Sequence, residues 1–138
     1  VLSLMTGAVF FTGQLMSYLT FPLELEYVHA TRYQKGVEGK EIKWVVRPKV
    51  AIKNRSVLIL DDILDEGITL NAIVNECHSL GAKEVKTAVL VEKKLNKKKI
   101  IAADYVGLNV PDRYVFGCGM DVYGWWRNLP AIYALKST

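Results

Sequence analysis

The sequence predicts an α/β fold, in which a twisted, mostly parallel sheet carries helices on both faces and a small C-terminal cap, or hood. Short apolar runs typical of buried strands recur at residues 57–60, 85–91 and 105–110. An amphipathic helical pattern separates the first two runs, and strands that alternate with helices favour parallel pairing. The length of 138 residues suits one domain with its own core. We therefore expect residues 1–138 to form a single domain.

The first elements lie before the central apolar run. The pattern predicts a strand over residues 1–4, a turn over 5–8 and a helix over 9–19. The helix would face the core with Phe10, Phe11, Leu15, Tyr18 and Leu19. A strand is expected over 24–30. Leu25, Tyr27 and His29 would lie on one face of it, and Glu24, Glu26 and Val28 on the other. Its polar face would line a crevice.

Residues 32–43 are polar and contain Gly36 and Gly39, without a helical or strand period. We expect a mobile loop here, opening with Arg32 and Tyr33. A short strand near 42–46 and a weak strand over 50–52 would follow.

The second half continues the alternation of helix and strand. Apolar residues at helical spacing precede Gly81, which is suited to end the helix; they are Leu70, Ile73, Val74, Cys77 and Leu80. Buried strands over 85–91 and 105–110 enclose a lysine-rich loop. From residue 111 the pattern is irregular and aromatic, so residues 111–138 are expected to contribute the cap over one edge of the sheet.

Bulk properties exclude little. The net charge of +4 would suit an anionic ligand, but five lysines between residues 93 and 99 supply much of it, and such a run is usually a solvated loop. Cys77 and Cys118 lack metal-type spacing, which favours a reducing, cytoplasmic location. The uncharged opening segment is broken by polar Thr-Gly pairs, so no membrane partner is expected. The chain begins inside a strand without methionine, and we expect some N-terminal residues upstream.

The most informative stretch is SVLILDDILDEGITL, residues 56–70. A buried strand empties into an acidic, glycine-containing turn that opens a helix. Its four carboxylates, on Asp61, Asp62, Asp65 and Glu66, fall within six residues. They repel one another unless a cation or a polyhydroxyl ligand shares the site. The stretch therefore predicts a binding site.

The chemistry of that site is that of a sugar phosphate. Helix N-termini at the carboxyl ends of parallel strands bind phosphate, and Gly67 and Thr69 supply close backbone approach and a hydroxyl. The alternative is that Asp65 and Thr69 merely cap the helix. Asp61 and Asp62 suit a vicinal diol or Mg²⁺.

LILDDILDEGIT, at 58–69, resembles the signature of the type I phosphoribosyltransferases, two acids followed by D-x-G-x-T. The remaining chain resembles the hypoxanthine-guanine branch. The likeness includes Met5-Thr6-Gly7-Ala8 as a pyrophosphate loop, a loop opening with Arg32-Tyr33, Lys93 after a strand, and VPDRYVFGCGMDVYGWWRNLP at 110–130. It implies a type I phosphoribosyltransferase-like fold, with transfer of 5-phosphoribosyl from its 1-diphosphate to a 6-oxopurine, hypoxanthine or guanine. The products would be IMP or GMP and pyrophosphate, with Mg²⁺ as cofactor.

The resemblance also implies residue roles. Asp65 would be catalytic, exchanging a proton with purine N7. Asp61 and Asp62 would hold the ribose hydroxyls and a metal ion. The 5′-phosphate would be bound by backbone N–H groups of Glu66, Gly67, Ile68 and Thr69, and by the Thr69 hydroxyl.

For the purine, the resemblance implies Lys93 at the 6-oxo group, Tyr114 stacked on the base and the Val115 backbone at its 2-position edge. Asp121 would border the purine and bind a second Mg²⁺. Thr6, Gly7 and Arg127 would bind pyrophosphate.

Each of these residues also has a plainer interpretation. Taken alone, Lys93 is better explained as the first residue of a solvated loop; Tyr114 could be core, Asp121 a turn residue and Arg127 half of a surface ion pair. His29 and His78 match no motif and are interpreted as structural or exposed.

Two positions depart from the family pattern. Thr6 replaces a common lysine or arginine. Glu66 replaces a small hydroxyl residue, and we expect its side chain to point outward, since an acid facing phosphate would repel it.

Two other functions stay open: a nucleotide-sensing or RNA-binding regulator on the same fold, for which the lysine loop is the motive, and a phosphoribosyltransferase for xanthine, adenine or a pyrimidine. On the enzyme hypothesis no nucleic acid partner is expected. Aromatic residues near Trp125 and Trp126 would suit a subunit interface, so a homodimer or homotetramer is expected.

Overall fold

The computed structural model describes residues 1–32, 42–49 and 51–137. These residues form a six-stranded sheet in the order β3-β2-β1-β4-β5-β6, two helices and a separate two-stranded sheet. The strands are β1 Leu2–Leu4, β2 Glu26–Arg32, β3 Ile42–Val46, β4 Ser56–Leu64, β5 Glu84–Lys93, β6 Tyr105–Val110, β7 Val115–Phe116 and β8 Tyr133–Ala134; the helices are α1 Val9–Met16 and α2 Ile68–Ser79. Among the strands of the described residues, only β2 and β3 pair antiparallel within the large sheet. The predicted mostly parallel α/β sheet is confirmed.

The two helices cover opposite faces of the sheet. Side chains alternate between faces along a strand, and in β1 the Ser3 hydroxyl lies 2.6 Å from that of Thr12 on α1. Its neighbour Leu4 instead joins the main core cluster with Leu70 and Ile73 of α2. Helical spacing correctly predicted Leu70, Ile73 and Cys77 on the buried face of α2, whereas Leu80 follows the end of the helix and is exposed.

The central strand is longer than its apolar run. β4 continues past Leu60 through Asp61 and Asp62, and its pairing with β5 runs to Leu64 opposite Glu92. Backbone hydrogen bonds to β5, rather than apolar side chains, determine where the strand ends. The prediction that Asp61 and Asp62 belong to the turn was wrong, because only residues 65–67 form it.

Other differences concern exposure and element ends. α1 ends at Met16, and Tyr18, predicted to face the core, has 79% of its surface exposed. Val28 of β2 is buried, whereas Tyr27 of the same strand and Leu25, which precedes it, are exposed. β6 lies at the sheet edge and is largely exposed rather than buried.

The region between β2 and β4 was predicted only in part. The weak strand over 50–52 is absent at Ala51 and Ile52, and Val50 lies outside the described residues. Arg32 ends β2 and does not open a loop. Tyr33, with most of the predicted mobile loop, also lies outside the described residues.

The C-terminal segment, residues 111–137, packs near the carboxyl ends of the sheet strands. Val115 and Met120 form a small core cluster with Val91 of β5. Gly119 lies so close to the Gly7 carbonyl and to Phe10 that a Cβ there would collide with the Gly7 oxygen. That residues 111–138 act as a cap stays a prediction, as does the single domain. Among the described residues, no helix has the length and apolar character needed to cross a membrane.

Candidate active site

A cavity of about 360 Å³ opens where β1, β2 and β4 end and α2 begins. Its wall is formed by the Leu4–Gly7 turn, the end of β2, the stretch from Asp61 to Leu70, and two residues of the C-terminal segment, Asp121 and Arg127. The carboxyl ends of parallel strands are where open α/β sheets bind ligands. The acidic stretch identified from sequence is thus one wall of a cavity that four separate parts of the chain build.

Asp61 and Asp62 form a carboxylate pair in this wall. The Asp61 carboxylate accepts a hydrogen bond from the Asp62 N–H at 2.8 Å, and the Asp62 carboxylate accepts one from the Ile63 N–H at 2.8 Å. Burial raises the pKa of both groups, and the Asp62 carboxylate raises the pKa of Asp61 further. The hydrogen bond with the Asp61 side chain, the hydrogen bond from the Ile63 N–H and the charge of Arg127, in that order, partly offset the rise in the pKa of Asp62. The negative charge of the pair is therefore poorly compensated by the protein.

The sequence predicted Asp61, Asp62 and Asp121 as metal ligands. Within residues 1–32, 42–49 and 51–137, no group of three or more His, Cys, Asp or Glu side chains is placed to hold a metal ion. Mg²⁺, however, is commonly held by one or two carboxylates, its other positions taken by water and phosphate oxygens. Two part-buried carboxylates with raised pKa values fit that donor set.

The N-terminus of α2 faces the same cavity. Gly67 is its N-cap with φ of +89°, a backbone conformation that glycine adopts without strain. In the described part of the chain, no side chain makes a capping hydrogen bond at this end. The alternative that Asp65 and Thr69 serve as caps is therefore not supported. The first N–H groups of the helix remain available for an anion.

Asp65 is instead paired with Lys93. The Lys93 ammonium donates to the Asp65 carboxylate at 3.3 Å. Lys93 ends β5, and only 12% of its side chain is exposed. The interpretation of Lys93 as the first residue of a solvated loop was wrong. β5 continues two residues beyond the apolar pattern because it stays hydrogen-bonded to β6 up to Val110.

The lysine run divides into different environments. The Lys99 ammonium donates to the backbone carbonyls of Leu64 and Lys93 and approaches Glu92 at 3.4 Å. Only 12% of the Lys99 side chain is exposed, so it holds the ends of β4 and β5 together. Lys97 pairs with Glu66, whereas Lys94 and Lys98 are exposed. The run is therefore not simply a solvated loop.

Glu66 lies at the cavity rim between two cations. One of its carboxylate oxygens is 2.7 Å from Arg32 and the other is 3.3 Å from Lys97. Hydrogen bonds from Arg32 and then from Lys97 lower the pKa of Glu66. The side chain does not simply point into solvent, because it joins the end of β2 to the lysine run.

The Thr6-Gly7 turn follows β1 after a cis peptide between Met5 and Thr6. Gly7 lies directly against the Asp62 carboxylate, and a Cβ at this position would overlap it. The Gly7 carbonyl in turn contacts Gly119 of the C-terminal segment. The turn is therefore enclosed between the acid pair and that segment, while the Thr6 side chain is exposed.

Tyr114, Asp121 and Arg127 are brought together by the C-terminal segment. The Tyr114 hydroxyl donates to the Asp121 carbonyl at 3.1 Å, and the Arg127 guanidinium lies 3.4 Å from the Asp121 carboxylate. Arg127 also donates to the Gly119 carbonyl at 2.7 Å. Tyr114 is half exposed and is not core, and Arg127 lies in the cavity wall rather than at a remote surface.

Asp121 is also a turn residue, as the alternative interpretation proposed, because its carboxylate accepts a hydrogen bond from the Gly124 N–H at 2.8 Å. Val115 is buried and pairs with Ala134 in the small sheet. Lys93, Tyr114 and Val115 lie outside the cavity wall, but the Lys93 ammonium and the Tyr114 hydroxyl each donate to a residue of it, Asp65 and Asp121 respectively.

From the sequence we expected the polar face of β2 to line a crevice, but the pattern did not identify the residues of β2 that line the cavity. His29, Ala30 and Thr31 line it together with Arg32. His29 had no motif to mark it and was interpreted as structural or exposed. The usable signal was its position near the carboxyl end of a strand that pairs parallel with β1. His78, by contrast, is exposed on α2, as one of the two expected alternatives.

A mostly parallel sheet with an acid pair and an uncapped helix N-terminus at its carboxyl edge defines an α/β protein with a site suited to a sugar phosphate. Residues 1–124 match the phosphoribosyl transferase domain family, and the chain belongs to this family. Within the family it belongs to the hypoxanthine-guanine phosphoribosyltransferase branch. It is 33% identical over 136 residues to the hypoxanthine-guanine phosphoribosyltransferase of Bacillus subtilis, covering 98% of this chain and 76% of that protein.

A second relative, the hypoxanthine-guanine-xanthine phosphoribosyltransferase of Tritrichomonas foetus, is 32% identical over 139 residues, covering 100% of this chain and 76% of its own. Among solved structures, a hypoxanthine phosphoribosyltransferase from Staphylococcus aureus superposes with a TM-score of 0.91 at 31% identity, covering 98% and 74% of the two chains. The Trypanosoma cruzi hypoxanthine phosphoribosyltransferase in complex with the product IMP superposes with a TM-score of 0.90 at 28% identity, covering 98% and 73%.

Proposed function

We propose that this chain catalyses purine salvage, transferring the 5-phosphoribosyl group of 5-phosphoribosyl 1-diphosphate to hypoxanthine or guanine. The observation that carries the proposal is the Lys93–Asp65 pair beside the cavity. It combines a cation suited to an oxo group with a carboxylate suited to a ring proton. The relatives that carry these activities in their names extend over nearly the whole chain.

The purine end of the reaction follows from the chemistry of these two residues. An ammonium can only donate, so Lys93 suits a 6-oxo group, whereas a 6-amino group would need an acceptor. Asp65 takes the N7 proton as a purine nitrogen forms its bond to C1 of the ribose and the bond from C1 to the diphosphate oxygen breaks. The sequence roles of Tyr114 and Val115 at the base are retained as part of the proposal.

The sugar end uses the other walls of the cavity. Asp61 and Asp62 accept hydrogen bonds from the ribose hydroxyls. The N–H groups of residues 66–69 and the Thr69 hydroxyl hold the 5′-phosphate. The Thr6-Gly7 turn and Arg127 face the pyrophosphate. Holding both reactants in line supplies much of the catalysis, because it removes the entropy cost of their encounter.

The proposal includes Mg²⁺, which Asp61 and Asp62 would hold, with Asp121 at a second ion. When bound, Mg²⁺ neutralises the negative charge of the pyrophosphate leaving group. The raised pKa values of Asp61 and Asp62 support this assignment, because a divalent cation would compensate a charge that the protein leaves unmet.

The decisive experiment is a steady-state assay of pyrophosphate release with hypoxanthine and with guanine, followed by competition among hypoxanthine, guanine and xanthine. Turnover well above that of Asp65→Asn is expected. Turnover with adenine or a pyrimidine alone would contradict the assignment of Lys93. A chain without turnover that binds RNA in a salt-sensitive way would instead favour the regulator. The engagement of Lys93, Lys97 and Lys99 within the protein argues against that outcome.

We also propose that the protein acts as a homodimer or homotetramer in the cytoplasm. Large exposed aromatic side chains, including Tyr123 and Trp125 with 88% and 72% of their surface exposed, support an interface in the C-terminal segment. Light scattering of the wild type and of Trp125→Ala tests this. A wild-type monomer would contradict it.

A further inference from the structure

Glu66 is a departure from the family pattern, and its contacts suggest a purpose. Its carboxylate lies immediately before the N-terminus of α2, between Arg32 on β2 and Lys97 in the lysine run. Both Arg32 and Glu66 line the cavity. A phosphate at the helix N-terminus would therefore lie beside a cation that is already paired with a protein carboxylate.

The three side chains are too exposed for this arrangement to be mainly a stabilising device. Their exposed fractions are 47% for Arg32, 38% for Glu66 and 63% for Lys97. Ion pairs this exposed contribute little to the free energy of unfolding. Their effect on a charged ligand is larger, because a phosphate dianion interacts with the sum of nearby charges. Without Glu66, that sum becomes one unit more positive.

We propose that Glu66 is a positioning residue that lowers the affinity of the cavity for the 5′-phosphate by holding Arg32 and Lys97 in ion pairs. The inference rests on the proposed function, which puts the phosphate at the N-terminus of α2. A ligand phosphate competes with the Glu66 carboxylate for these cations and is also repelled by it. Nucleotide product, which carries the same phosphate, is released faster as a result.

The test is the binding of ribose 5-phosphate by titration calorimetry, with ribose as the uncharged probe. Glu66→Gln keeps the shape and removes the charge. It should tighten ribose 5-phosphate about threefold to tenfold, leave ribose unchanged and steepen the salt dependence. Glu76→Gln is the matched control, because Glu76 on α2 also pairs with an arginine, Arg47 at 3.0 Å, outside the cavity. It should change neither affinity.

A mutant cycle tests whether Glu66 affects phosphate affinity through Arg32 and Lys97. In an Arg32→Gln, Lys97→Gln background, Glu66→Gln should tighten ribose 5-phosphate clearly less than in the wild type. Glu66→Asp should restore part of the wild-type affinity, and the KM for the ribosyl donor should fall in Glu66→Gln. Unchanged or weakened binding of ribose 5-phosphate by Glu66→Gln, in a wild type that turns over purines, would overturn this inference alone. A wild type that neither turns over nor binds ribose 5-phosphate would overturn the proposed function as well.

Discussion

The Lys93 ammonium lies 3.3 Å from the Asp65 carboxylate, across 28 residues of sequence. The two residues meet because β4 and β5 are parallel neighbours, so the residue that follows one strand lies beside the end of the other. Guanine carries O6 and N7 side by side on one edge. O6 is an acceptor, and N7 carries the proton that Asp65 is proposed to take. The proposed donor to O6 and the proposed partner of N7 are therefore already side by side in the protein.

Replacing Asp65 by asparagine should slow turnover far more than it weakens donor binding. Proton exchange operates mainly in the transition state, and such groups contribute about a hundredfold to ten-thousandfold to rate. We expect kcat to fall about a hundredfold or more, with the KM for the ribosyl donor nearly unchanged. Steady-state kinetics measures both, and equal losses in kcat and in donor affinity would contradict the catalytic role.

Replacing Lys93 by methionine should affect the purine rather than the donor. Loss of a charge-assisted hydrogen bond costs about 1.5–3 kcal/mol, which corresponds to roughly a tenfold to hundredfold fall in kcat/KM for hypoxanthine. Lys94→Met is the matched control, because Lys94 is the exposed neighbour in the same run. Similar losses in the two variants would show that the charge of the run matters, not the position of Lys93.

Gly7→Ala should disturb the cavity through a single added methyl group. The new Cβ would overlap the Asp62 carboxylate, so either the turn or the acid must move. We expect kcat/KM to fall about tenfold to a hundredfold, the usual effect of misplacing a substrate-positioning group. Gly13→Ala is the control, since a Cβ at Gly13 would meet no atom of the described ranges within 4 Å.

Gly13→Ala should leave activity unchanged and raise the free energy of unfolding by about 1 kcal/mol, as for an exposed glycine inside a helix. A Gly7→Ala protein as active as Gly13→Ala would mean that the turn does not depend on its contact with Asp62. Chemical denaturation of both variants separates loss of fold from loss of site.

Asp61→Asn should stabilise the free protein in a pH-dependent way. Because burial and Asp62 raise the pKa of Asp61, the folded state keeps a proton that the unfolded chain has already lost. The free energy of unfolding of the wild type therefore falls as pH rises from the ordinary aspartate value of 3.8 towards the raised pKa. Asparagine cannot ionise and escapes this loss.

The difference in Tm between Asp61→Asn and the wild type should grow across that range and reach a few degrees at neutral pH. Thermal unfolding at a series of pH values measures it. A difference that is the same at every pH would show that Asp61 is not the group whose ionisation is opposed. The variant should also bind ribose 5-phosphate more weakly, because one acceptor for the ribose hydroxyls is changed.

The sequence predicted those features that repeat within a single element. The buried positions Leu70, Ile73 and Cys77 of α2 follow from helical spacing, and Gly67 before the helix follows from the glycine-containing turn that the sequence shows. The acidic stretch was recognisable as a site because its charges are neighbours in the chain. All of these depend on local order alone.

Features that depend on pairing between distant strands were not predictable in the same way. Asp61 and Asp62 resemble turn residues in composition, but hydrogen bonds to β5 keep them in a strand. Lys93 resembles its neighbours in the lysine run, but pairing with β6 extends β5 to include it. His29 reaches the cavity only because β2 lies next to β1.

Because Lys99 is held between the ends of β4 and β5, the lysines of the run should differ in how fast they react with an amine-specific reagent. An amine-specific reagent should label exposed Lys94 and Lys98 quickly and Lys99 slowly, since its ammonium is bonded to two carbonyls. Lys93 should react at an intermediate rate that falls when a purine is bound. Peptide mapping of this segment would then report purine binding as the labelling rate of Lys93, with Lys94 and Lys98 as the fast references and Lys99 as the slow one.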